Sequence, residues 1–250
     1  MLGAKIFYLA GQWNSEYLKT PIGELEMPNL DKCEEWQLAK RAAQAFVDAD
    51  VKLPMFGMPI LSSPLNIIVN LYGQEALIAM MEDEEAARHD LDVIITLIRT
   101  LHKWYREHIP YRQLQGTVAV TRTQPPGHGQ LCGCTTQLLS ADMYREFIMP
   151  LDNALLADYP HGGMIHLCGG HTQHIKVFRD MPALKVVQLN DRAAGDLKYY
   201  VEGLRPDQII YLNPCPEMPL EEAVRISGGK RIVIVEQCEP ALMPDSQQKT

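Results

Sequence analysis

His166-Leu167-Cys168-Gly169 closes the apolar run Gly163-Met164-Ile165, and it is the stretch of this chain best equipped for chemistry. In a β-strand, residues two apart point to the same face. His166 and Cys168 would therefore aim an imidazole nitrogen and a thiol sulfur at one point. A second strand-like run, Arg231 to Gln237, ends on Cys238. One His and two Cys gathered from strand ends make a three-ligand zinc site with an open fourth position, the pattern of catalytic rather than structural zinc. Taken alone, a string as short as His-x-Cys is more often a hydrogen-bonded core histidine beside a buried cysteine. The rest of the chain shifts that balance.

The elements that must position these residues alternate. A strand is expected at Lys5–Ala10, a long loop at Trp13–Leu30, and a helix at Leu30–Ala49 with Trp36, Ala39, Ala43, Phe46 and Val47 at helical spacing. Val51–Pro59 suits a strand running into a loop, and Ser62-Ser63-Pro64 opens a helix. From Pro64 to His108 the pattern is helical in two or three pieces, with a break at Gly73. The acidic run Glu82-Asp83-Glu84-Glu85 fits a solvated helix start favoured by the helix dipole. Thr117–Thr123 reads as a strand feeding a Pro/Gly/Cys-rich loop, Gln124–Thr136, and Ser140 begins a helix towards Leu156 with a kink at Pro150.

Beyond that point the beat is regular. Strands at Gly163–Cys168, Leu184–Leu189, Gln208–Leu212 and Lys230–Glu236 are separated by helices at Thr172–Phe178, Gly195–Val201 and Leu220–Ile226. Such alternation predicts right-handed βαβ units and a parallel sheet. The polar and reactive residues fall just after the strands: Arg122 and Gln124, His166 and Cys168, Asn190 and Asp191, Asn213 and Cys215, Glu236 and Cys238. That is the C-terminal face on which a (β/α)8 barrel carries its active site, and about seven of the eight strands are recognisable.

A chain of 250 residues with 46% hydrophobic content can bury one large core, so residues 1–250 are expected to form a single α/β barrel domain. The net charge is −8 and no Lys/Arg stripe appears, which argues against a nucleic-acid partner. No apolar run has the roughly 18 residues of a membrane span, and Met1-Leu2-Gly3-Ala4-Lys5 does not open a signal peptide. Six irregularly spaced cysteines suggest reduced thiols in the cytoplasm, available for metal or catalysis.

From about Asp50 to Glu239 the order of motifs resembles the uroporphyrinogen decarboxylase superfamily. The pieces that carry the resemblance are Gly57…Ser63-Pro64-Leu65, the Leu139–Phe147…Pro150 helix, His166-Leu167-Cys168-Gly169, Leu189-Asn190-Asp191 and Leu212-Asn213-Pro214. Within that superfamily, a His-x-Cys pair with a late Cys is similar to the zinc-dependent methyltransferases of the methylcobamide:coenzyme M type. The resemblance implies a (β/α)8 barrel shortened at its N-terminus. It implies zinc held by His166, Cys168 and Cys238, and a thiol acceptor bound to that zinc. It also implies a methyl group carried on a corrinoid, usually presented by a separate corrinoid protein. A coordinating metal deprotonates a thiol outright, and the open position admits the substrate.

The chain departs from the family pattern in places. The decarboxylase's Arg-rich N-terminal segment has no counterpart, Cys132-Gly133-Cys134-Thr135-Thr136 stands where relatives place an Asp-rich turn, and Cys215 replaces an acid. Two alternatives follow: a metal-free decarboxylase of the uroporphyrinogen type, with Arg122 and Arg192 as carboxylate binders, and a non-catalytic barrel that binds a corrinoid or a partner.

Other residues carry competing readings. Cys132-x-Cys134 offers two ligands on a loop but lacks a second pair at zinc-finger spacing. Cys215 rivals Cys238 as third ligand. His171 and His174 are expected on the first turn of a surface helix, with His171 at most supporting a ligand. His128 fits an active-site loop or an exposed one. Asp191 is a candidate for orienting substrate and equally for capping a helix. Glu236 shares the face of Cys238 and is a candidate fourth ligand or acid/base group.

Overall fold

The computed structural model describes residues 1–50, 56–57, 61–115 and 127–235. It opens with an antiparallel hairpin, β1 (Ile6–Leu9) and β2 (Gln12–Ser15). Ala10 and Gly11 join the strands with φ of 51° and 80°, the positive values a two-residue hairpin turn demands. The expected first strand is therefore present, but it belongs to this hairpin and not to the main sheet, and β2 occupies the start of the expected loop.

Helix α1 (Glu34–Asp48) follows, then the short strands β3 (Phe56–Gly57) and β4 (Leu61–Ser62). The long helical region divides into α2 (Pro64–Tyr72), α3 (Glu75–Glu82) and α4 (Glu84–His108). Gly73, at φ 64°, ends α2, and Asp83 caps α4 by accepting from the Ala86 amide at 3.2 Å. The acidic run is thus a helix junction, as expected. The buried Asp90 of α4 accepts from the Leu25 amide at 3.2 Å and ties the N-terminal loop to the helices.

Among the described residues, strand β5 (Leu114–Gln115) pairs with β3 and with no other strand. Strand β6 (Gly129–Cys132) lies within what the sequence suggested was a loop. It is only four residues long, is bounded by glycines and has no β-branched residue. Helix α5 (Ala141–Met143) runs through a π-turn at Tyr144–Ile148 into α6 (Met149–Ala157). The π-turn sits immediately before Pro150, whose missing N–H and bulky ring disrupt the regular ladder.

The remaining elements are β7 (Gly163–Cys168), α7 (Ile175–Asp180), β8 (Leu184–Asn190), α8 (Arg192–Gly195), α9 (Leu197–Gly203), β9 (Ile209–Leu212), α10 (Leu220–Ser227) and β10 (Ile232–Ile234). These match the sequence expectations closely. The expected strand Thr117–Thr123 lies outside the described residues.

Six strands form one parallel sheet in the order β10-β9-β8-β7-β6-β4. From β6 to β10 spatial neighbours are successive along the chain with helices between them, as in a (β/α) barrel, whereas β4 pairs with β6 across the intervening β5. The described strands do not by themselves close the ring.

Strand register defines the two faces. Leu131, Ile165, Val187 and Ile210 are partners across β6 to β9, all buried in the main apolar cluster against the helices. Each such side chain contributes about 1.5–3 kcal/mol by leaving water. The next row, Ser62, Cys132, His166, Gln188 and Tyr211, faces the other way. The sheet therefore has an oily outer face and a polar inner one, and the inner face carries the candidate ligands. Among the described residues no helix is long and apolar enough to cross a membrane.

Candidate metal centre

The C-terminal ends of β6 and β7 bring four ligand-type side chains to one place. Cys132 ends β6 and is the register partner of His166 on β7. Gly133 then turns the chain; a Cβ there would lie 2.6 Å from Ile165 Cδ1, so a larger residue would have to displace the Ile165 side chain. Its amide donates to the His166 carbonyl at 2.9 Å, extending the ladder by one bond. Cys134, first residue of a 3-10 turn spanning Cys134–Leu138, is thereby delivered against Cys168.

The Cys168 thiol donates to Cys134 Sγ at 2.8 Å, and Cys132 Sγ lies 3.7 Å from Cys134 Sγ. Ligand atoms of Cys134, His166 and Cys168 all lie within 4.8 Å of one another. Two sulfurs bound tetrahedrally to zinc at about 2.3 Å stand roughly 3.8 Å apart. An ion thus fits once Cys134 and Cys168 part by about 1 Å, a side-chain adjustment. His166 is 3% exposed while the cysteines are partly exposed, so the cluster is rooted in the sheet and opens towards its rim.

The imidazole is held in the form a metal requires. His166 Nδ1–H donates to Gln188 Oε1 at 2.9 Å, and Gln188 Nε2 donates to Asn213 Oδ1 at 2.7 Å. Gln188 and Asn213 are buried. A neutral ring protonated at Nδ1 carries its lone pair on Nε2, and a second partner of this kind is a regular companion of metal-binding histidines.

The protein alone disfavours charge at the Cys134 thiol. The Cys134 pKa is raised far above the ordinary thiol range, first by its hydrogen bond to Cys132, then by burial and by the nearby sulfurs. Packed sulfurs cannot readily ionise together without a compensating cation, and a bound divalent ion reverses that situation.

A buried frame supports the cluster. His171 Nε2–H donates to the Cys168 carbonyl at 2.9 Å, and its Nδ1 lies 3.0 Å from the Thr136 hydroxyl, which donates to the Gly133 carbonyl at 2.8 Å. His174 Nε2–H donates to the Thr136 carbonyl at 2.8 Å. Burial pushes the His171 pKa down and that of His174 to about 4, so both rings are neutral. The expectation of a surface helix is corrected here: neither histidine is exposed, because the 3-10 turn Thr172–His174 folds them under the Cys134–Leu138 turn.

The other anticipated residues are distributed as follows. Cys238, Glu236 and Arg122 lie outside the described residues. Asp191 follows β8 at φ 47°, a strained value for a residue with a side chain. It does not cap α8 through its side chain; its exposed carboxylate accepts from Asn190 Nδ2 at 3.0 Å. Cys215 Sγ contacts the Asp191 carbonyl at 3.7 Å and is not among the three clustered ligands. His128 immediately precedes β6, next to His161, at the opposite strand end from Cys132. Arg192 is exposed and lies over Gly170, beyond Cys168.

Sequence reasoning undervalued Cys134 and overlooked Gln188. The available signal for Gln188 was a lone amide in the apolar strand Val186-Val187-Gln188-Leu189.

No protein-family model matches the chain, and no curated protein matches it. Among solved structures the fold is similar to that of a methyltransferase from Methanosarcina mazei, with a TM-score of 0.65 at 12% identity, covering 95% of this chain and 70% of that one. The likeness is one of fold: a barrel-like α/β architecture with a parallel sheet.

Proposed function

We propose that this chain is a zinc-dependent methyltransferase that moves a methyl group between a corrinoid and a thiol or related acceptor. The observation that carries the reading is the convergence of Cys134, His166 and Cys168 at the C-terminal end of the parallel sheet. The fold shared with a methyltransferase supports it, as does the resemblance of the His166–Gly169 strand end to corrinoid-dependent relatives.

Zinc held there would keep an acceptor thiol as a thiolate, ready to take a methyl group. The residues of the chain supply what surrounds that chemistry. Two cysteine thiolates and a neutral His166 balance the charge of a divalent ion, so the acceptor sulfur keeps its nucleophilicity. Gln188 keeps the proton of His166 on Nδ1 and so leaves Nε2 for the ion. His171 fixes the Cys168 carbonyl, so the sulfur is presented from a rigid strand end. The methyl carrier belongs to the proposal as a corrinoid on a partner protein, and Asp191 and Glu236 as candidates for orienting the acceptor.

The test is zinc content together with methyl transfer. The purified chain should retain about one equivalent of zinc. With methylcobalamin and a small thiol it should release the demethylated corrinoid, followed by its visible absorption. Chelation should abolish turnover. A zinc-free preparation that transfers methyl groups at the same rate refutes the reading.

A further inference from the structure

Cys132 is not used by the three-ligand site. Resting on the zinc reading above, we propose that Cys132 is a fourth, displaceable protein ligand that closes the centre until an acceptor thiol takes its position.

Three observations carry this. Cys132 is the direct register partner of His166 across adjacent parallel strands, so its side chain leaves the sheet on the same face and at the same level. Its sulfur lies 3.7 Å from Cys134 Sγ, close to the roughly 3.8 Å between two sulfurs on one tetrahedral zinc. It also stands outside the group whose atoms are all within 4.8 Å of one another. Cys132 Sγ therefore stands farther from the shared centre than Cys134 and Cys168, and it reaches a shared ion by rotating about its Cα–Cβ bond. Two His/Cys-x-Cys strand ends side by side, Cys132-Gly133-Cys134 and His166-Leu167-Cys168, thus supply a complete Cys3His set. The outlying one of the four is the natural one to leave.

The exchange balances. The incoming thiol loses its proton as it binds, and Cys132 takes up one proton as its sulfur departs. Three sulfur anions surround the ion before and after, so no net charge moves within the site.

The experiment is X-ray absorption at the zinc edge on the full chain, paired with differential alkylation. The zinc-loaded wild type should show three sulfurs and one nitrogen, and Cys132→Ser should show two sulfurs. Cys238→Ser should keep three. Adding 2-hydroxyethaneselenol to the wild type should replace one sulfur by selenium. On the unmodified chain, zinc should protect Cys132 from iodoacetamide by about tenfold, as it protects Cys134 and Cys168. A wild-type site with two sulfurs overturns the inference, and so does loss of a sulfur in Cys238→Ser but not in Cys132→Ser. Equal labelling of Cys132 with and without zinc, or selenium adding without loss of sulfur, does the same. A chain that retains no zinc instead fails the underlying reading.

Discussion

His166 and Gln188 are register partners on adjacent strands, and the ring Nδ1–H donates to the amide oxygen at 2.9 Å. That bond selects the tautomer that presents Nε2. Gln188→Leu keeps the volume and removes the acceptor, leaving a buried N–H unsatisfied. Zinc affinity is expected to fall about 10–100-fold, read by competition with a chromogenic chelator. Unaltered affinity would show that His166 does not bind through Nε2.

Cys134 is the ligand the sequence alone ranked low. Dialysed Cys134→Ser and Cys168→Ser should each lose the bound zinc, whereas Cys215→Ser should keep it. Elemental analysis decides, and full zinc retention by Cys134→Ser removes this residue from the site.

Gly169 follows Cys168 at φ +92°, and an added Cβ would fall 2.4 Å from Gln137 Oε1. Gly169→Ala should cost about 1–3 kcal/mol through backbone strain, with weaker zinc binding because Cys168 is its neighbour. Gly195, with open space around its Cα, is the control: Gly195→Ala should change stability by less than about 1 kcal/mol. Urea midpoints compare the two. Equal effects would show that the turn after Cys168 is not under constraint.

Asp152 sets a pH dependence of stability away from the metal centre. Burial raises its pKa to about 7 from 3.8, against the lowering effect of the nearby Ser63 hydroxyl and of the hydrogen bond that Tyr144 donates. The folded-state pKa exceeds the unfolded one, so the contribution is fully present below about 4 and is lost as pH rises through 7. The penalty reaches about 4 kcal/mol at pH 8. Asp152→Asn still accepts from Tyr144 and removes the ionisation, so its stability relative to wild type should rise between pH 5 and pH 8. Melting temperatures that change in parallel would exclude Asp152 as the cause. His102 bounds the acid side: burial lowers its pKa to about 4 from 6.5. Its contribution is intact above 6.5 and is lost as pH falls towards 4.

Much of the second half of the chain is legible because long apolar strands alternate with amphipathic helices. Gly163–Cys168 is the clearest instance, and its His and Cys fall where the alternation puts them. Strand β6 was not legible. Its short glycine-bounded segment gains its strand character from pairing with both β4 and β7, a tertiary effect that overrides weak local preference. That one omission left Cys132 and Cys134 on a supposed loop. His171 and His174 were misplaced for a related reason. Their helical spacing says nothing about the turn that packs over them, and burial of polar rings here depends on Thr136, remote in sequence. The N-terminal hairpin shows the converse, since β1 has strand character without a place in the parallel sheet.

Cys134 and Cys168 are 34 residues apart, and the segment between them comprises the π-turn, α6 and most of β7. An ion gripped at both ends would tether this excursion like a clasp, shrinking the conformational space open to the unfolded chain. The helices α2 to α4 stand outside the clasped segment and rely on their own packing. Loading the centre would therefore stiffen one helix–strand unit selectively, so the molecule's local resistance to unfolding would report whether the ion is present.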